Sequence, residues 1–168
     1  MKPQDILVFL KLLLWKKGRW TIAALAESIG LSASETHAAL QRGKECGIFD
    51  PLTEKPIKGA LQEFILYGLK YVFLAKIGSK KRGIPTAHSA PPLSEKIISN
   101  KETVFVWPTR NGPVLGMAVE PLYPSVIKAV QKDVQLYELL ALIDALRIGR
   151  AREQKLAMQE LEERFKLL

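Results

Sequence analysis

Leu25-Ala26-Glu27-Ser28-Ile29-Gly30-Leu31-Ser32-Ala33-Ser34-Glu35 closes one helix and opens another across a tight turn. Gly30 suits the left-handed backbone that ends a helix, because it carries no Cβ to clash. Ser32 and Glu35 have capping-box spacing, in which the hydroxyl and the carboxylate each satisfy an orphan backbone amide. Two short helices crossing steeply need small residues at the crossing, and Ala26 supplies one. Leu25, Ile29, Leu31 and Leu40 face inward in this arrangement. Thr21 is then the cap of a helix over Ile22–Ile29, and the second helix runs from about Ala33 to Cys46 before Gly47.

Upstream, Ile6, Leu7, Phe9, Leu10, Leu13 and Leu14 recur at helical spacing between Pro3 and Gly18, which predicts a largely buried helix. Downstream, Ile48-Phe49 and Pro56-Ile57 flank the turn-rich Asp50–Lys55, the pattern of two short strands joined as a β-wing. An amphipathic helix is expected from Gly59 to Ala75, with Leu61, Phe64, Ile65, Leu69, Val72 and Phe73 on its apolar side. Residues 76–92 hold Gly78, Gly83, Pro85, Pro91, Pro92 and the cluster Lys80-Lys81-Arg82, and read as loop. Val104–Trp107 and Val114–Val119 read as a hairpin turning at Asn111-Gly112. A short helix over Ser125–Val130 follows. The stripe Leu136, Leu139, Leu140, Ile143 and Leu146 marks a further helix, and Leu156, Met158, Leu161, Phe165 and Leu168 mark a last, fainter one.

Residues 25–35, continued by Ala39-Leu40-Gln41-Arg42 and Cys46-Gly47-Ile48-Phe49, resemble the winged helix-turn-helix regulators of bacteria and archaea, the MarR-like group in particular. The resemblance covers about residues 5–75. Two positions depart from the pattern. Thr36 stands where the family has a larger β-branched apolar residue, and Gly43 costs a helix interior about 0.5–1 kcal/mol relative to alanine. The resemblance implies that the second helix enters the major groove of duplex DNA, with Ser34, His37, Ala38 and Gln41 toward the base edges. Gln41 would pair with adenine and His37 with a purine acceptor. Thr21 and Ser32 would bind phosphates at helix N-termini, and Arg42, Lys44, Lys55 and Lys58 would neutralise others. Lys80, Lys81 and Arg82 would form an arm gripping phosphates or a minor groove.

Composition agrees with a polyanionic partner: the 168-residue chain carries a formal charge of +8. The surplus is +3 over residues 1–60, +5 over 61–110 and zero over 111–168. The single cysteine, Cys46, excludes an internal disulfide and a cysteine-cluster metal site. Its place at a helix C-terminus disfavours a thiolate, so a structural or incidental cysteine is expected rather than a redox sensor. The apolar run Ile6–Trp15 is too short to span a membrane, and the expectation is a cytoplasmic protein with no membrane contact. His88-Ser89 lacks the strand-elbow-helix glycines of a nucleophile site, so no enzymatic activity and no cofactor are expected. The Pro-rich Ile84–Leu93 is expected as an ordered loop packed on the fold.

The expected fold is mainly α with small β, an α+β chain: a winged helix-turn-helix over 1–75, a basic Pro-containing loop region over 76–102, and a β-hairpin with C-terminal helices over 103–168. The last region is expected to build a homodimer that sets two recognition helices in successive major grooves. Arg147, Arg150 and Arg152 could also reach DNA. The competing function is a protein-interaction or RNA-binding module that uses the winged helix as a docking surface.

Overall fold

Thr21 and Ser32 start the two helices expected of them. In the computed structural model, which describes residues 1–16, 18–97 and 103–168, α2 spans Ile22–Ile29 and α3 spans Ala33–Glu45. The Thr21 hydroxyl accepts from the Ala24 amide at 3.2 Å, and the Ser32 hydroxyl accepts from the Glu35 amide at 3.1 Å. Gly30 sits at φ 69°, the left-handed geometry that ends α2. The reciprocal half of the expected capping box does not form. The Glu35 carboxylate turns instead to the Gln4 side-chain amide at 2.8 Å and the Arg42 guanidinium at 2.6 Å.

The apolar N-terminal run forms α1, Pro3–Leu13, with Ile6 through Leu10 wholly buried. Its Phe9 ring points its tip at Gly43 of α3: a Cβ there would fall 2.2 Å from the ring's Cζ. The glycine thus lets the two helices approach closely. Thr36 is buried too, its hydroxyl donating to the Ser32 carbonyl at 3.0 Å, which satisfies the polar atom inside the core. Strands β1 (Phe49–Asp50) and β2 (Lys55–Pro56) pair antiparallel, Phe49 opposite Pro56. The Trp20 indole donates to the Glu54 carbonyl at 3.1 Å and tethers this small hairpin to the α1–α2 link.

The helix expected over Gly59–Ala75 is interrupted. It comprises α4 (Lys58–Glu63), a π-helical turn over Phe64–Gly68 and α5 (Leu69–Val72). Leu61, Ile65 and Leu69 point inward as expected, but Val72 faces solvent.

Residues expected as loop then form a strand, β3, over Ile77–Pro85. Nor do β4 (Phe105–Pro108) and β5 (Val114–Val119) make the expected antiparallel hairpin. They run parallel to each other, and β3 pairs antiparallel with both, so the three strands close into a minimal barrel. Closure at this size needs backbone contact. A Cβ on Gly112 would lie 2.2 Å from Gly83, and one on Gly83 would lie 2.1 Å from the Trp107 carbonyl oxygen. Asn111-Gly112 therefore serves close approach rather than a two-residue turn. The expected loop region 76–102 ends in residues 98–102, which lie outside the described residues.

Ile84–Leu93 is ordered as expected, passing from the end of β3 through a 3-10 turn at Ala87–Ser89 to α6 (Leu93–Lys96). After α7 (Val126–Val130), α8 (Val134–Ile148) runs through the core. Leu139 to Leu146 are buried without interruption, Ala141, Leu142 and Ala145 included. Burial on every side marks a core helix rather than a one-sided stripe. The α8 stripe expected to contribute to a dimer face is therefore covered by the chain itself, whereas Leu156, Met158 and Leu168 of the last stripe are only half-buried. Helix α9 (Ala151–Leu167) packs back on α8 through Ala157, Leu161 and Phe165. No described helix is long and apolar enough to cross a membrane.

One polar knot joins barrel and helices. The buried Asp144 carboxylate of α8 accepts from the Thr86 hydroxyl at 2.9 Å, the Trp107 indole at 2.5 Å and Arg147 at 2.6 Å. Burial pushes this carboxyl up from its ordinary range, against the pull of Arg147. Arg147 also donates to the carbonyls of Phe73, Leu74 and Glu120. With its side chain 3% exposed, it is a structural clamp and not the DNA contact entertained for it.

Candidate nucleic-acid interface

A helix anchored on one face presents the other. Helix α3 buries Thr36, Ala39, Leu40 and Gly43, and so turns Ser34, His37, Gln41 and Lys44 outward. Their spacing of three, four and three residues places them in one stripe. All four are exposed, and none of their side chains hydrogen-bonds to another described residue. Ala38, expected beside them, is half-buried at the stripe's margin.

The capping residues Thr21 and Ser32 are both exposed. Each hydroxyl already accepts a backbone amide, which leaves its O–H free to donate outward. At the other end of α3, Gly47 at φ 75° passes the chain directly into β1, so the β1–β2 hairpin follows the helix C-terminus. Lys55 on β2 and Lys58 at the start of α4 are exposed there. The Asp50 side chain shapes the hairpin tip, accepting from the Thr53 hydroxyl at 2.7 Å and the Leu52 amide at 2.9 Å; these bonds hold its carboxyl below the usual range.

Arg42 is a correction. Its guanidinium is bound on both sides, to Asp5 at 2.6 Å and to Glu35 at 2.6 Å. Asp5 is wholly buried and also accepts the Lys2 amide at 2.7 Å, so it closes the first turn of α1 while holding α3. The bonds to Asp5 and Glu35 hold the Arg42 guanidinium well above its ordinary value. A side chain engaged this way positions the helix and does not reach a phosphate.

Lys80, Lys81 and Arg82 are exposed on β3, a barrel strand, instead of on a flexible arm. The structure does not gather them with α3; the barrel joins the body through the 3-10 turn and α8. Beside Lys81 and Arg82 stands Arg110, missed in the sequence because a lone arginine next to Asn-Gly carries no motif. Its signal was the absence of any acidic residue nearby.

The Ser89 hydroxyl accepts from the Phe105 amide at 3.0 Å, and the His88 ring stacks edge-on against Phe105. The exposed Cys46 thiol rests on the Gly43 carbonyl at 3.6 Å. Among the described residues no group of three His, Cys, Asp or Glu is placed to hold a metal ion. Set against protein-family models, curated proteins and solved structures, the chain matches none of them.

Proposed function

We propose that this protein binds duplex DNA and acts as a transcription regulator, with α2 and α3 as a winged helix-turn-helix and the β1–β2 hairpin as its wing. The observation that carries the reading is the unengaged stripe Ser34, His37, Gln41 and Lys44 on a helix whose opposite face is fixed to α1. Gln41 has the amide donor and acceptor that pair with adenine in the major groove, and His37 offers a ring N–H to a purine acceptor. Thr21, Ser32, Lys44, Lys55 and Lys58 supply phosphate contacts that set register without reading sequence.

Selection from a random duplex pool, followed by titration of the preferred site, tests this. Exchanging His37 and Gln41 together for alanine should weaken binding to that site by at least about tenfold, since one good base contact is worth about 1–3 kcal/mol. Both side chains are exposed, so the fold should be retained. Parent-like affinity in the double variant would overturn the reading.

The exposed Tyr67, Tyr71 and Leu74, in and just past the π turn and α5, are what favours the protein-interaction alternative. A palindromic selected site would demand a two-fold assembly. With the α8 stripe buried, that assembly would have to use such exposed residues.

A further inference from the structure

The barrel has an unusual charge balance. Its strands and the β4–β5 loop contain Lys80, Lys81, Arg82 and Arg110, and neither residues 77–85 nor 105–119 include a single Asp or Glu. Among the described residues none of the four cations forms an ion pair. Backbone contact holds them together. The Thr109 amide donates to the Arg82 carbonyl at 3.0 Å and the Gly112 amide to the Thr109 carbonyl at 3.1 Å. With Gly112 seated on Gly83, the loop lies clamped across β3. Lys81, Arg82 and Arg110 thereby line one open cleft of about 340 Å³ with Pro108 and Thr109. Like charges brought side by side on a clamped backbone repel, and an anion lying between them relieves the repulsion.

We infer that this cleft is a second nucleic-acid contact, one that grips the phosphate backbone without reading bases. Three features select that ligand. Arg82 lines the cleft, and Lys80, outside it but two residues back on the same strand, extends the charge by about 6.7 Å, a spacing commensurate with successive phosphates of a nucleic-acid strand. No exposed aromatic ring accompanies them: Trp107 is buried and Phe105 packs on His88, so nothing offers a base a stacking platform. The cations ride on clamped backbone, which suits a fixed ladder of charges better than a fluid anionic surface. This contact does not rest on the assignment made for α3.

The test uses the full chain and a duplex of arbitrary sequence, titrated between about 50 and 200 mM salt. Exchanging Lys81, Arg82 and Arg110 together for alanine should lower affinity at least about tenfold at the low-salt end. The salt slope should become shallower by about 2–3, since each phosphate contact contributes about 0.9. Preference for the selected site over the arbitrary duplex should survive. The His37 and Gln41 exchange should do the reverse, losing preference while keeping most of the arbitrary-duplex affinity. A charge-conserving variant, Arg82→Lys with Arg110→Lys, should bind nearly as the parent does, which separates lost charge from a disturbed barrel. Unchanged affinity and slope in the alanine variant overturn the inference, as does a parent that binds no duplex at about 50 mM salt. Loss of binding to phosphatidylserine vesicles with duplex binding intact overturns it as well.

Discussion

Gly43 shows how far apart a residue and its reason can be. Within α3 it is an anomaly, since alanine would be worth about 1 kcal/mol more there. The reason is Phe9, whose ring occupies the place of the missing methyl. Gly43→Ala should therefore destabilise the protein by about 2 kcal/mol, overpacking outweighing propensity. In a Phe9→Leu background the same change should be near neutral, and urea denaturation of the parent and all three variants would expose the coupling. Strict additivity would show that the crossing does not depend on this contact. The anomaly was legible in the sequence, whereas its partner, far away along the chain, was not. Arg42 has the same history: a basic residue on a recognition-type helix reads as a phosphate contact until Asp5, on another helix, claims it.

At the scale of elements, legibility followed how locally each element is determined. Caps and turn placed α2 and α3 because Thr21, Gly30 and Ser32 act within four residues of themselves. Strand β3 left no such trace. Its first six residues, Ile77–Arg82, are exposed throughout and so break the alternation that marks a half-buried strand. Its pairing also depends on Gly83 meeting Gly112, a contact between segments far apart in sequence. In α8 the expected stripe was real, but Ala141, Leu142 and Ala145 fill the other side, turning an interface helix into a core one. How α3 is held to α1 gives a pH-dependent prediction. The Gln4 amide and Arg42 guanidinium hold the Glu35 carboxyl below its ordinary value of 4.5. A lowered folded value means stabilisation that is complete above about pH 4.5 and lost as pH falls through the folded value. Glu35→Gln should flatten that part of the acid limb when urea midpoints are compared between about pH 6 and pH 3. Parallel loss in parent and variant would mean the carboxylate contributes nothing to holding the helix.

Across the whole molecule, α1, α8 and α9 share one apolar core, and the barrel is fastened to it at Asp144. Removing that carboxylate leaves Arg147 buried without its partner and strands the Thr86 and Trp107 donors. Asp144→Ala is therefore expected to cost about 3–5 kcal/mol in chemical denaturation, and Asp144→Asn less, because an amide oxygen can still accept. Equal stability of parent and alanine variant would refute the knot. A buried carboxylate that fastens a substructure, alongside the Tyr137 hydroxyl donating to the Pro85 carbonyl, also has a kinetic side. The barrel amides need not wait for global unfolding to meet solvent, since loosening around Asp144 would free them as a group. Deuterium should enter 77–85 and 105–119 together and ahead of α8, making the cationic strands the first part of the protein to come loose and return.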